Sequence, residues 1–84
     1  MRTFEKVLGE TIAELRRKAG LSQESLAYKC ERHPTYISQI ERGLKSPTVR
    51  TMARIGSVLG QAPSTILKRA EDAASKENIA LNDL

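Results

Sequence analysis

The sequence predicts an all-α domain of five short helices. Three observations point there. Apolar residues recur at steps of three and four, breaks containing Gly or Pro fall at regular intervals, and strand-type alternation is nowhere sustained. A chain of 84 residues suits one domain. Folding buries only about 60–65% of the surface of so short a chain, which leaves a modest core that an oligomer interface would extend.

Each element carries its own signals. Phe4, Leu8, Ile12 and Leu15 line one face of a first helix that ends near Ala19-Gly20. Ser22 is an N-cap, with Gln23-Glu24-Ser25 as a polar first turn and Leu26, Ala27 and Cys30 as the inward face of helix two. Glu31, Arg32 and His33 break the pattern, and Pro34 fits the first turn of a third helix, where its missing N–H costs little. That helix runs to about Arg42 and stops at Gly43. Thr48 or Ser46 caps a fourth helix with Val49, Met52, Ile55 and Leu59 inward, closed by Gly60. A fifth begins at Pro63 and carries Ile66, Leu67 and Ala70. Residues 1–70 are read as the domain and 71–84 as an acidic tail.

Charge is unevenly placed. The 14 Lys+Arg outnumber the 10 Asp+Glu, a formal net charge of +4. Residues 1–70 hold 13 basic and 6 acidic side chains (+7), while 71–84 hold Lys76 against Glu71, Asp72, Glu77 and Asp83 (−3). A basic body suits a polyanion such as nucleic acid, bound through counterion release. Other classes fall away. His33 and Cys30 are the single histidine and cysteine, which excludes a disulfide within the chain, a His-dependent triad and a multi-His metal site. There is no Walker-type loop and no His-Glu-x-x-His, so neither an enzyme nor a cofactor is expected. No apolar run suits a signal peptide or a membrane span, no small-molecule ligand is evident, and the expected location is the cytoplasm.

Helices two and three, joined by about four turn residues, have the form of a helix-turn-helix. On a wheel of 100° per residue, Ile37 and Ile40 point one way, while Thr35, Ser38, Gln39 and Arg42 point the other, with Tyr36 on the flank. Gln pairs bidentately with adenine, Ser and Thr bond to most bases, and Arg meets guanine or phosphate. The free N–H groups at the start of helix two, beside Ser22 and Gln23, form an anion site.

The run Leu21-Ser22-Gln23-Glu24-Ser25-Leu26-Ala27, followed by Tyr36-Ile37-Ser38-Gln39-Ile40-Glu41-Arg42-Gly43 and Pro47, resembles the Xre family, the helix-turn-helix of phage lambda repressor and Cro. The resemblance covers roughly residues 6–70. The run from His33 to Ser38 is also similar to the controller proteins of restriction–modification systems. The resemblance implies a lambda-repressor-like domain whose recognition helix, Pro34 to Glu41, turns Thr35, Tyr36, Ser38 and Gln39 to the groove of double-stranded DNA. It also implies that Gln23 contacts the DNA backbone and supports that helix, and that Arg42 and Lys45 meet phosphates. Glu41, on the inward flank, is expected to pair with Arg16 on helix one, which would fix the recognition helix in orientation. Cys30 stands where the family often has Ala and reads as a small buried hydrophobe. His33 is expected to cap the recognition helix or touch phosphate.

Two positions depart from the family. Glu31 occupies a turn position usually held by Gly, and positive φ costs a non-Gly residue about 1 kcal/mol or more. The turn is therefore expected to differ in detail. Arg32 stands in an apolar slot, its stem packing and its charged head reaching solvent as an extra phosphate contact.

One recognition helix offers too little contact for tight specific binding, so a homodimer is expected, joined through Ile66, Leu67 and Ala70. Its two recognition helices would lie about 34–36 Å apart on a palindromic or near-palindromic operator. A second reading makes the chain an antitoxin or another protein-binding module whose partner is held by the tail, with Ile79, Leu81 and Leu84.

Overall fold

The computed structural model describes residues 2–79. Five helices follow in order: α1 (Phe4–Lys18), α2 (Gln23–Cys30), α3 (Pro34–Glu41), α4 (Val49–Leu59) and α5 (Pro63–Lys76). Their starts are chemically marked. Thr3, Ser22 and Thr48 each accept a hydrogen bond from the third backbone N–H beyond them, and His33 Nδ1 accepts from Thr35 N. Thr48, not Ser46, therefore caps α4. Helix α5 has no side-chain cap and starts on Pro63.

Every helix ends by turning left-handed. Gly20, Gly43 and Gly60 have φ of 74°, 76° and 69°, and Glu31 and Asn78 adopt the same conformation at 57° and 60°. At the end of α2, Glu31 N–H donates to Tyr28 O and Arg32 N–H to Ala27 O, the paired bonds of a Schellman close. The turn thus keeps the left-handed geometry that glycine would provide without strain. The two satisfied carbonyls hold Glu31 there against its Cβ penalty.

Helix α1 lies against α3 and α5, and α2 against α3 and α4. Ile12, Leu26, Ile37, Ile40, Ile55 and Ile66 are the large side chains removed from water at their centre. Gly9 sets the approach of α1 to α3. A Cβ built there would stand 2.3 Å from Ile40 O and 2.6 Å from Glu41 O.

Three sequence expectations need correction. Val49 is 89% exposed, so it lies outside the buried stripe of α4, which consists of Thr51, Met52, Ile55 and Gly56. Ile66 and Ala70 are fully buried, whereas Leu67 is 36% exposed. The first two fill the core of their own chain and cannot be offered to a second copy. The boundary at residue 70 also fails, because it falls inside α5. Ala74 is fully buried, Ile79 packs against the core, and Arg2 donates to both Glu10 and Glu77. Residues 71–79 are therefore part of the fold, which removes much of the free tail that a partner-binding reading used. Leu81, Asp83 and Leu84 lie outside the described residues.

Candidate nucleic-acid interface

Helix α3 is held by a buried polar junction. Arg16 on α1 donates from Nε to Glu41 Oε2 (2.7 Å) and from Nη2 to Glu41 Oε1 (3.0 Å). Its Nη1 reaches Leu21 O at 2.8 Å, and Gln23 Nε2 donates to Glu41 Oε1 at 2.8 Å. The Arg16 and Glu41 side chains are only 10% and 5% exposed. Hydrogen bonding to Glu41 raises the Arg16 guanidinium above the ordinary arginine range, against the opposing effect of burial. Three helices thus meet at one carboxylate, and the α1–α2 turn is tied to the guanidinium that pairs with it. The fork geometry fixes the rotation of α3 as well as its distance from α1.

With Ile37 and Ile40 turned inward, the opposite face of α3 is available. Thr35 and Arg42 are exposed, and Ser38 and Gln39 are half-buried. Among the described residues, the side chains of Thr35, Ser38 and Gln39 take part in no hydrogen bond, while Arg42 Nε lies 3.4 Å from Ser38 O. Tyr36 is half-buried and packs against the core, so its ring is partly committed to the fold. Lys45 is exposed in the loop that follows, with Leu44 beside it at 65% exposure.

Other candidates have internal duties. Ser22 caps α2 through its hydroxyl. The amide of Gln23 is spent on Glu41, which leaves the backbone N–H groups of the first turn of α2 as that region's outward donors. Arg32 is drawn inward: Nε donates to Thr51 Oγ1 and Nη1 to Glu31 O, both at 3.1 Å. It is a brace from the turn to α4, and its two acceptors are neutral oxygens, so its charge has no ion-pair partner among the described residues. Its partner Thr51 is 1% exposed and bonded in turn to Thr48. Nothing in a single sequence marks a threonine on α4 as the receiver of an arginine from the turn. Cys30 is fully buried, and desolvation pushes its thiol up despite the nearby charges of Arg32 and Arg54. The thiolate is thus disfavoured.

The family model described as a helix-turn-helix domain matches residues 7–66. The chain is 37% identical over 62 residues to the control protein C.BamHI of Bacillus amyloliquefaciens, spanning 73% of this chain and 76% of that one. The restriction–modification controller protein C.AhdI of Aeromonas hydrophila superposes with a TM-score of 0.72 at 27% identity, over 74% of this chain and 94% of that one. The clp gene regulator ClgR of Corynebacterium glutamicum shares the fold with a TM-score of 0.86 at 23% identity, over 92% and 82% of the two chains. A buried junction that orients α3 against α1 and α2, a left-handed turn before it and a match over most of the length agree: the chain belongs to the helix-turn-helix domain family.

Proposed function

We propose that this chain is a sequence-specific transcriptional regulator that acts in the cytoplasm. It binds a palindromic or near-palindromic operator as a homodimer, with one α3 in each of two successive major-groove faces. The observation that carries this reading is the outer face of α3. Its short polar groups at Thr35, Ser38 and Gln39 are not consumed internally, while the Arg16–Glu41–Gln23 junction behind them holds the helix in one rotation. Short side chains let a helix lie deep in the groove, and a fixed rotation lets an amide meet a base edge in register. Similarity to proteins named as regulators and controllers supports the same reading.

In this arrangement Thr35, Ser38 and Gln39 read bases, with Tyr36 at the edge of the contact. Arg42, Lys45 and the first turn of α2 at Ser22 and Gln23 meet the phosphates. The dimer uses apolar surface that the fold leaves outside, and on α5 that is Leu67.

Binding-site selection from random duplex DNA tests the proposal, run on the wild type and on Gln39→Ala. The wild type should return two symmetric half-sites about one helical turn apart. Gln39→Ala should relax one symmetric position in each half-site, because a bidentate Gln–adenine pair is worth roughly 1–3 kcal/mol of discrimination. A single unrepeated half-site refutes the dimer. A consensus identical at every position removes Gln39 from the reading set.

A further inference from the structure

Beside the buried junction, α1 and the end of α3 enclose an open cleft of about 290 Å³. Lys6 and Arg17 of α1 line it together with Arg42, Gln23, Glu10 and Glu41. Its two carboxylates are already compensated. Glu41 is held by Arg16, and Glu10 accepts two hydrogen bonds from Arg2. Among the described residues, none of its three cations, Lys6, Arg17 and Arg42, forms an ion pair, although Lys6 lies close enough to Glu10 to favour its charged form. With both carboxylates already bonded to arginines, the cleft carries a net positive charge around a concave surface. At its wall stands Gln23, the first residue of α2, whose own N–H and that of Glu24 have no partner within the helix, while Ser22 caps the N–H of Ser25.

Three cations converging on one hollow repel one another, and an anion seated between them relieves that repulsion. We propose that the cleft seats a phosphate of the nucleic-acid backbone, with Arg17 and Lys6 as contacts outside the helix-turn-helix itself. The proposal rests on the DNA-binding reading above and extends it to helix α1. Arg42 belongs both to this cleft and to the outer flank of α3, so an occupant here is continuous with a duplex lying along the recognition helix. The cleft would fix the strand on one side of α3, as Lys45 fixes it beyond the helix end. Arg17 contributes a planar fork suited to two phosphate oxygens and Lys6 a point charge.

The test is the salt dependence of duplex binding by the full chain. Wild type, Lys6→Ala/Arg17→Ala and Lys45→Ala are compared on the selected operator and on an unrelated duplex. Both substituted side chains of the double variant project from α1 outside the core, and thermal melting checks that its fold is kept. The double variant should weaken both duplexes alike and lower the slope of log K against log salt by about 0.9 per protomer, about 1.8 per dimer. A wild-type slope in the double variant overturns the proposal while leaving the DNA-binding reading intact. Absence of any duplex binding by the wild type overturns both. Inorganic phosphate added to the DNA-free protein supplies the remaining arm, read from the Nε–H resonances of Arg17 and Arg42. Shifts of these signals at millimolar phosphate, combined with an unchanged duplex slope, would assign the cleft to a free anion and refute the backbone assignment.

Discussion

Replacing Glu41 by Gln keeps the shape of the side chain and removes its charge. Two donors converge on Oε1, from Arg16 Nη2 and Gln23 Nε2, and one on Oε2, from Arg16 Nε. An amide offers one oxygen for these three donors, so in either orientation an NH2 faces an N–H. The Arg16 and Glu41 side chains are 10% and 5% exposed, so water reaches the mismatch only from the cleft side and repairs little of it. Stranding one member of a buried pair costs about 3–5 kcal/mol. Against a total of roughly 4–12 kcal/mol for a domain of this length, that is a large share. Urea unfolding reads the effect. With an m-value near the low end of about 1–3 kcal/mol/M for small proteins, the midpoint should fall by about 2 M or more. Replacing both partners with apolar side chains, Arg16→Met/Glu41→Leu, should recover most of the loss, because neither charge is then stranded. A loss below about 1 kcal/mol for Glu41→Gln at unchanged m would refute the argument. It would mean that the junction is wet or already relaxed.

Other outcomes follow from the same geometry. Gly9→Ala should destabilise although alanine is the better helix former. Its Cβ would press on two backbone carbonyls of α3, and overpacking of this kind costs about 1–3 kcal/mol, against a propensity gain of about 0.5–1. Thermal melting should fall by several degrees, and a raised Tm would show that α1 and α3 can separate freely. Acid should loosen the surface ties to α5. The Arg2 hydrogen bonds hold the Glu10 carboxyl below its usual value, and Lys18 with Arg69 does the same for Glu14. Groups with depressed folded values stabilise above the unfolded value, near 4.5, and lose that contribution as pH falls through the folded value. Stability should therefore decline below about pH 4.5, and Glu10→Gln/Glu14→Gln should flatten that limb of a Tm–pH curve. An equally steep limb in the variant would assign the acid sensitivity to other carboxylates.

Local signals made most of the architecture legible. Helix starts and stops depend on residues within one turn of the boundary, so Ser22, Pro34, Gly20, Gly43 and Gly60 could be read directly, and periodicity marked Ile12, Leu26, Ile37, Ile40 and Ile55 as core. The outer face of α3 was visible for the same reason, since which residues share a face follows from helical spacing alone. Glu31 shows where local rules stop. Its penalty was foreseeable, but its left-handed φ is retained because two carbonyls of α2 are satisfied by it.

What the sequence determined by itself is the set of five helices, the polarity of each face and the basic character of the body. These depend on neighbours three or four residues apart and on a sum of charges. The tertiary structure decided where side chains from distant helices converge. Ile66 and Ala70 are core because α5 packs on α1 and α4. Arg32 is a brace because Thr51 lies beside the turn. Lys6, Arg17 and Arg42 share one cleft because Gly9 lets α1 approach the backbone of α3. Each of these depends on a distance between helices, and such distances are set by the packing of the whole core, which no local pattern encodes.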